Sequence, residues 1–284
     1  MTVENFAGSE ALFTLRGKTA IVTGGGRGIG RAIVKLLASS GANVLAADLD
    51  KEALDEMQTL FCPPDRVASI SGDLTDLSFP QQIVNVALES FHSIDIIVNC
   101  AGYSWDSVIQ KTSDEQFQAM LDIHVVAPFR LLRAASSHLR EAAKKETAEG
   151  QRVMRKVVNI TSISGTDGNA GQAGYGAGKG GVIGLTKTLA KEWGRYNINV
   201  NAVAFGLIQT RMTQPLKPEG RIKMSGKDIP IGVQPAMLES AVASSPLGRL
   251  GTAEEAAGAV FFFCSPLSDY VTGEVLICSG GYHF

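Results

Sequence analysis

The sequence predicts a single-domain α/β fold, a doubly wound seven-stranded parallel sheet with helices on both faces. Two observations predict it. Seven short apolar runs alternate with segments of helical spacing, which is the pattern of a parallel sheet covered by its crossover helices. No long linker, internal repeat or low-complexity tract interrupts that alternation, so residues 1–284 are expected to form one domain with its core in 15–282.

Each predicted strand is an apolar run that ends at a polar residue or a turn signal. The first run is followed by a glycine-rich turn and then by 31–38, whose apolar spacing is helical. Later runs are separated by longer segments that can each hold a helix. In chain order the predicted strands are 19–22, 43–48, 66–70, 94–98, 156–160, 198–203 and 274–277.

Composition excludes several classes of function. A net charge of −2 gives no reason to expect nucleic acid or an anionic membrane as a partner. Residues 1–16 lack the pattern of a signal peptide, and no run of 18 apolar residues predicts a membrane span. The cysteines form no metal-ligand spacing, so no metal site is predicted, and free thiols in a reducing, cytoplasmic setting are expected for Cys62, Cys100, Cys264 and Cys278.

The turn Thr23-Gly-Gly-Gly-Arg-Gly-Ile-Gly30 predicts a dinucleotide site, because it stands between a predicted strand and a predicted helix. Glycines let the backbone approach a pyrophosphate, and the helix N-terminus offers free N–H groups to it. The alternative is a plain glycine turn. The residues assigned to the cofactor here are Gly24, Arg27, Gly28, Ile29 and Gly30.

Asp48 ends the second predicted strand and follows Gly30 at close to the expected spacing of about 20 residues. A carboxylate there can accept both ribose hydroxyls and repels a 2′-phosphate, which favours NAD(H) over NADP(H). Arg27 favours the opposite choice, because a guanidinium in the glycine loop can hold a 2′-phosphate. Asp48 can also cap the helix that begins near Lys51.

Tyr175 and Lys179 form a YxxxK pair, which lies on one face of a helix. An ammonium near a phenol is expected to lower the phenol pKa from about 10, so Tyr175 can exchange a proton with an alcohol or carbonyl. Ser162 lies thirteen residues upstream, where a predicted strand ends, and would orient the same oxygen. These three residues are the predicted catalytic group.

Together these motifs resemble the short-chain dehydrogenase/reductase family, and the resemblance covers roughly 15–282. The segment Asn99-Cys100-Ala101-Gly102 is similar to the family's NNAG, and 72–74 and 204–210 are similar to its adenine and nicotinamide segments. The resemblance implies a Rossmann fold, a nicotinamide cofactor and a homodimer or homotetramer. The further cofactor residues it implies are Leu49, Asp73, Leu74, Asn99, Ala101, Gly102, Gly206, Ile208 and Thr210, besides Tyr175 and Lys179.

Three positions depart from the family pattern. His124 occupies the place of an asparagine whose helix kink holds a water for the proton relay to the lysine. It is expected to serve in that relay, to replace the asparagine structurally, or to leave the enzyme impaired. Phe205 replaces a proline and either covers the nicotinamide or fills space. Cys100 replaces an asparagine and is expected to be a small buried residue without a reactive thiolate.

The proline-rich segment 211–245 follows the sixth predicted strand, on the side of the sheet where ligands bind. It is expected to be a substrate lid inserted in the domain, and the alternative is a disordered surface loop.

The sequence predicts an oxidoreductase that interconverts a secondary alcohol and a ketone. Among subfamilies it most resembles 3-oxoacyl-acyl-carrier-protein reductases, so an acyl-thioester is the leading substrate. A steroid, sugar or cyclic alcohol oxidised with NAD is the competing hypothesis. From other classes, a non-catalytic NAD-binding sensor or subunit and a methyltransferase remain.

Overall fold

A computed structural model describes residues 9–60, 64–215, 221–224 and 227–283. Its centre is a seven-stranded sheet in which every neighbouring pair is parallel. Numbered along the chain, its strands are β1 Thr19–Thr23, β2 Asn43–Asp48, β3 Val67–Ser71, β4 Ile96–Asn99, β5 Arg155–Ser162, β6 Ile198–Phe205 and β9 Val275–Cys278. All seven predicted strands are therefore confirmed, each within about two residues.

A second, two-stranded antiparallel sheet pairs β7, Arg221–Met224, with β8, Lys227–Pro230. No strand was predicted in this part of the sequence. The α-helices are α1 Ser9–Phe13, α2 Gly28–Ser39, α3 Lys51–Leu60, α4 Phe79–Phe91, α5 Asp114–Leu121, α6 Ala127–Ala148, α7 Ile163–Thr166, α8 Ala173–Trp193, α9 Pro235–Ser244 and α10 Ala253–Cys264. A π-helical turn, Asp122–Val126, joins α5 to α6.

Helices cover both faces of the sheet, as predicted. One core cluster gathers buried side chains of α2, α3 and α10, including Ile33, Leu54 and Val260. The other gathers α4, α6 and α8, including Ile83 and Leu131. The central strands β1, β5 and β6 are buried along their whole length because helices lie on both sides of them.

The order of the strands places the site. The sheet runs β3-β2-β1-β4-β5-β6-β9, so the chain leaves β1 toward one edge and returns to β4 on its other side. In such a sheet the crevice beyond the carboxyl ends of the two diverging strands is where ligands bind. Within the described ranges, no helix is long and apolar enough to cross a membrane.

Candidate active site

A cavity of about 590 Å³ opens beyond the carboxyl ends of the strands, where β1 and β4 diverge. Its walls come from the turn after β1, the ends of β2 and β5, the loop after β4, α8 and the segment after β6. The sequence-predicted residues that line it are Gly24, Arg27, Gly28, Ile29, Gly30, Asp48, Leu49, Asp73, Leu74, Ala101, Gly102, His124, Ser162, Tyr175, Lys179, Gly206, Ile208 and Thr210.

The glycine turn, here called the glycine cradle, packs so closely against neighbouring backbone that two of its glycines leave no room for a Cβ. Gly24 has a φ of +67°, and a Cβ there would lie 2.8 Å from the Cα of Ala101. A Cβ on Gly30 would overlap the carbonyl oxygen of Gly24. Helix α2 begins at Gly28, so its free N–H groups and the positive end of its dipole face the cradle. The cradle therefore has the shape and the donors that a pyrophosphate needs.

Asp48 is fixed by two backbone donors at the end of β2. Its Oδ2 accepts from the N–H of Gly26 at 2.8 Å, and its Oδ1 accepts from the N–H of Asp50 at 3.0 Å. The predicted alternative, a cap on the helix near Lys51, belongs instead to Asp50, whose Oδ1 accepts from the N–H of Ala53 at 2.9 Å. Asp48 thus lies against the glycine turn and lines the cavity.

Arg27 is paired with an acid that the sequence analysis did not assign. Its Nε donates to Asp50 Oδ2 at 2.7 Å. This hydrogen bond lowers the pKa of the Asp50 carboxyl, and the charge of Arg211 lowers it further. The same bond raises the pKa of Arg27. This end of the cavity, beside Asp48 and the glycine turn, therefore stabilises an opposed charged pair, and it is called the adenosine end after its predicted ligand.

Asn99 is a predicted cofactor residue that does not line the cavity. It is buried, and its Nδ2 donates to Asn159 Oδ1 at 2.8 Å, which joins β4 to β5. Beside it, Thr23 Oγ1 accepts from the N–H groups of Cys100 and Ala101, both at 3.1 Å. Asn99 therefore supports the wall of the cavity from behind.

Ser162, Tyr175 and Lys179 meet at the other end of the cavity. Ser162 ends β5, and its Oγ accepts from the N–H of Ser164 at 3.1 Å. Lys179 lies one turn after Tyr175 on α8, with its Nζ 5.6 Å from the centre of the tyrosine ring. That Nζ donates to the carbonyl oxygen of Ile160 at 2.9 Å. The three predicted side chains are therefore brought together.

The expectation that Lys179 lowers the pKa of Tyr175 is wrong for this structure. Loss of hydration raises the pKa of the Tyr175 phenol to about 12, against the hydrogen bond from Ser162, which lowers it. Burial lowers the pKa of the Lys179 ammonium to about 8. The reason is that surrounding protein atoms exclude water from both groups, and this loss of hydration outweighs the effect of nearby charges and hydrogen bonds. Each is shifted toward its neutral form.

His124 lies in the π-helical turn, at the centre of its five residues. The turn closes with the N–H of Ala127 donating to the carbonyl of Asp122, a π-type bond at the place where the family pattern has its kink. Glycine at 178 allows α8 to approach, since a Cβ there would lie 3.0 Å from the Cβ of His124. The imidazole packs edge-on against the Tyr175 ring, with centroids 5.1 Å apart.

The tautomer of His124 follows from its partner. Its Nε2 lies 2.8 Å from the carbonyl oxygen of Tyr103, which can only accept, so Nε2 carries the hydrogen. Nδ1 then holds a lone pair, and it is buried with no hydrogen-bond partner in the structure. Burial and the charge of Lys179 hold the pKa of His124 well below its usual 6.5. The imidazole is therefore neutral at neutral pH.

The structure also locates the other two departures from the family pattern. Phe205 is buried at the end of β6 and lines the cavity, and its role against the nicotinamide stays a prediction. Loss of hydration raises the pKa of the Cys100 thiol to about 12, so Cys100 is a thiol rather than a thiolate. Cys264 and Cys278 are free as well, and Cys62 lies outside the described residues.

The segment 211–245 closes one side of the cavity. Its described part holds a 3₁₀ turn, Arg211–Thr213, followed by the β7–β8 hairpin and by α9, so it is not a structureless loop there. Residues 216–220 and 225–226 of this segment lie outside the described residues. Thr210 anchors the segment, because its Oγ1 accepts from the N–H of Met212 at 3.2 Å.

Several residues of the cavity wall were not predicted from the sequence. Asp50 had a signal, an acid two residues after Asp48 in the loop that ends β2. Arg221 and Ile222 had no such sequence signal. They reach the cavity through the β7–β8 hairpin, which the sequence pattern did not predict. The lining residues that were not assigned to the cofactor or to catalysis are Asp50, Gly72, Cys100, Tyr103, Ile123, Ile160, Thr161, Phe205, Arg211, Met212, Thr213, Arg221 and Ile222.

Comparison with known proteins identifies the family. Residues 24–283 match the family model described as Enoyl-(Acyl carrier protein) reductase. The chain is 34% identical over 268 residues to the 3-oxoacyl-[acyl-carrier-protein] reductase FabG of Thermotoga maritima, covering 94% of this chain and 98% of that protein. It is 35% identical over 271 residues to the protein of the same name from Aquifex aeolicus, covering 94% and 98%.

A solved structure agrees with these relatives. The short-chain dehydrogenase/reductase from Brucella melitensis described as a glucose/ribitol dehydrogenase superimposes with a TM-score of 0.80 at 28% identity, covering 96% of this chain and 99% of that one. The family matches extend over nearly the whole chain, including the glycine cradle and the Ser162–Tyr175–Lys179 group. The protein therefore belongs to the short-chain dehydrogenase/reductase family of nicotinamide-dependent oxidoreductases.

Proposed function

We propose that the protein interconverts a secondary alcohol and a ketone with NAD(H), and that a 3-oxoacyl thioester is its substrate. One observation carries the proposal. A proton-donating group of Ser162, Tyr175 and Lys179 lies at one end of a cavity whose other end holds a glycine cradle and Asp48. That arrangement suits a reaction in which a cofactor moves a hydride and a side chain moves a proton.

The residues present fit a nicotinamide dinucleotide. Gly24 and Gly30 allow the close backbone packing of the turn, and the N-terminus of α2 would supply donors to a pyrophosphate. Asp48 is assigned to the ribose hydroxyls of the adenosine half. Lys179 is assigned to the hydroxyls of the nicotinamide ribose. When bound, the nicotinamide supplies or accepts the hydride.

The preference for NAD(H) rests on the charges at the adenosine end. Asp48 and Asp50 both line the cavity there and would repel a 2′-phosphate. Arg27, which could favour NADP(H), already donates to Asp50 at 2.7 Å. A phosphate would have to compete with that carboxylate for the guanidinium. The Arg27–Asp50 ion pair thus supports a preference for NAD(H), which Asp48 alone also predicts.

Tyr175 is the proton donor in this proposal. Because its pKa is about 12, the phenol keeps its proton at neutral pH and can give it to a ketone oxygen. Ser162 and Tyr175 line the same end of the cavity. A ketone oxygen there can accept from Tyr175, and also from Ser162 once the Ser162 hydroxyl turns away from Ser164 Oγ, its acceptor at 3.3 Å. This favours reduction of a ketone as the direction at neutral pH. Oxidation would need the phenolate, which burial disfavours.

His124 contributes to the relay as a neutral group. Its pKa lies too low for it to carry a proton as imidazolium at neutral pH. Its Nδ1 lone pair is buried near Lys179, whose charge acts on the ring. We assign to that lone pair the task of accepting a hydrogen bond from the relay, which the asparagine performs in the family pattern. Tyr103 fixes the ring by accepting from Nε2.

The substrate is taken from the relatives. The curated proteins matched here are named as 3-oxoacyl-[acyl-carrier-protein] reductases, and the solved neighbour is described as a glucose/ribitol dehydrogenase. A thioester of a 3-oxo acid presents a ketone to Tyr175 and an uncharged acyl chain to the apolar Phe205 and Met212 side chains. Because of the name of this solved neighbour, oxidation of a sugar alcohol is the second candidate reaction.

The experiment is a rate measurement with two substrate sets. Purified protein is assayed for oxidation of NADH and NADPH by S-acetoacetyl-N-acetylcysteamine, and for reduction of NAD by sugar, steroid and cyclic alcohols. The proposal predicts ketone-dependent NADH oxidation that is faster than alcohol-dependent NAD reduction. Turnover confined to the alcohol set would move the substrate to the second candidate.

Two results would assign the protein to another functional class. NADH binding without hydride transfer to any member of either set would indicate a sensor or regulatory subunit. Binding of S-adenosylmethionine with no binding of a nicotinamide dinucleotide would indicate a methyltransferase. Nicotinamide fluorescence on titration with NADH measures the binding step separately from turnover.

Assembly and location follow the family expectation. We propose a homodimer or homotetramer, which light scattering coupled to size-exclusion chromatography would measure. The cytoplasm is the proposed location because the sequence has the cysteine usage of a reducing compartment.

A further inference from the structure

A chain of hydrogen bonds leads from Ser162 to the exposed carboxyl group of Asp106, which lies behind the residues that line the cavity. Ser162 Oγ donates to Ser164 Oγ at 3.3 Å, and Ser164 Oγ donates to Gln172 Oε1 at 2.7 Å. Gln172 Nε2 donates in turn to Asp106 Oδ2 at 2.7 Å. Gln172 stands at the start of α8, one turn before Tyr175. The chain thus connects the reacting end of the cavity to Asp106.

The direction of this chain is fixed by its acidic end. A carboxylate can only accept, so Gln172 must turn its amide nitrogen to Asp106 and its oxygen to Ser164. Asn169 Nδ2 also donates to that oxygen at 3.1 Å, which holds the amide in this orientation. The loop that carries Asp106 is tied to the loop before α8, because the N–H of Ser107 donates to the carbonyl of Gly171 at 2.9 Å.

The carboxyl group of Asp106 is exposed and has no ion-pair partner among the described residues. Its two bonded partners, Ser104 and Gln172, are neutral, so neither cancels the charge. Loss of hydration raises the pKa of this carboxyl, and its charge in turn raises the pKa of Tyr175. The other ionisable groups around Tyr175 are Lys179, Cys100 and His124, and the last two are neutral at neutral pH.

We propose that Asp106 is a specificity-determining residue, which repels substrates that carry an anionic group beside the ketone and admits their neutral esters and thioesters. The inference rests on the proposed ketone reduction. In a free 3-oxo acid the carboxylate lies one methylene from the ketone carbon. With its ketone oxygen at Ser162 and Tyr175, that carboxylate lies within reach of the field of Asp106. In a thioester the same carbon is uncharged and is accepted.

Acetoacetate and ethyl acetoacetate test the selection, because they differ beside the ketone mainly by one charge. Asp106→Asn keeps the shape of the side chain and removes its charge. The ratio of kcat/KM for acetoacetate to that for ethyl acetoacetate is expected to rise about tenfold in the variant at low salt. Asp106→Glu retains the charge and should leave the ratio near that of the unmodified protein. Asp76→Asn removes an equal charge from an exposed loop and serves as the matched control.

A second readout needs neither cofactor nor substrate. In protein labelled with 13Cζ-tyrosine, the Tyr175 resonance is assigned by its loss in Tyr175→Phe and followed against pH by NMR. Asp106→Asn is expected to lower the pKa of Tyr175 by about half a unit to one unit, and Asp76→Asn to leave it unchanged. If no ketone is turned over by any of these proteins, the proposed function fails, while this titration still tests the charge of Asp106. An unchanged pKa of Tyr175, or an unchanged ratio of kcat/KM in an active, folded Asp106→Asn protein, would overturn the inference.

Discussion

The two ends of the cavity shift the ionisation of their side chains in opposite directions. At the adenosine end, hydrogen bonding lowers the pKa of Asp50 and raises that of Arg27, so both side chains are held charged. At the catalytic end, loss of hydration raises the pKa of Tyr175 and lowers those of Lys179 and His124, so each side chain is pushed toward its neutral form. One end is suited to recognising a ligand by charge, and the other to moving a proton in a dry site.

The contrast arises from where the side chains stand. Asp50 and Arg27 lie on surface turns, where water and opposed charges stabilise ions. Lys179 is buried on α8, and its Nζ donates to the neutral carbonyl of Ile160. An ammonium in that setting loses more hydration energy than one neutral acceptor returns. A substitution at one end is therefore expected to leave the function of the other end unchanged.

The largest effect is expected from Tyr175→Phe. Removing the hydroxyl removes the proposed proton donor, so kcat for ketone reduction should fall about 10²–10⁴-fold. The adenosine end is untouched, so NADH affinity, measured by nicotinamide fluorescence, should change by no more than about twofold. Tyr196→Phe, on the 3₁₀ turn after α8, is the control and should leave both quantities unchanged. A loss of NADH affinity as large as the loss of rate would show that Tyr175 holds the cofactor rather than the proton.

A smaller effect is expected from Gly30→Ala, which disrupts the glycine turn sterically and does not change any charge. Its Cβ would overlap the carbonyl oxygen of Gly24, so the turn must move. We expect a loss of stability of about 1–3 kcal/mol in urea unfolding, together with weaker NADH binding. Gly184→Ala is the matched control, because a Cβ at this helical position on α8 meets nothing within 4 Å. It should raise stability by about 0.5–1 kcal/mol. Equal effects of the two changes would contradict the role of the cradle.

Much of this could be predicted from the sequence, because strands and the glycine turn are local patterns. The run before Gly24, the spacing to Asp48 and the position of Tyr175 four residues before Lys179 each predicted the observed geometry. The direction of the Tyr175 pKa shift could not be predicted, because it depends on how deeply the whole fold buries the phenol. Spacing shows which groups are neighbours, but it does not show how much water is left between them.

The lid region was the least predictable part of the site. Its β7–β8 hairpin pairs Arg221 with Pro230 across a register that apolar spacing does not reveal. Proline and scattered apolar residues there predicted a lid in general terms, without the positions that reach the cavity. The role of Asp50 was missed for a related reason, since its bond to Arg27 joins two turns that are distant in sequence.

The next effect is a change of cofactor preference in Asp48→Ala. Removing this carboxylate removes repulsion of a 2′-phosphate and the acceptor for the ribose hydroxyls. The ratio of the Kd for NADPH to the Kd for NADH should fall about tenfold or more. Asp55→Ala removes an equal charge from an exposed ion pair on α3 and should leave the ratio unchanged. A ratio in Asp48→Ala equal to that of the unmodified protein would assign cofactor choice to other groups, beginning with Arg27.

The most direct test of the contrast between the two ends is the titration of Lys179 itself. In protein labelled with 15Nζ-lysine, its resonance is assigned by its loss in Lys179→Met and followed against pH by NMR. The account predicts a pKa of about 8, well below the usual 10.5, because burial disfavours the ammonium. A pKa at or above 10.5 would contradict it, since the catalytic end would then hold its lysine as a stable ion, as the adenosine end holds Arg27.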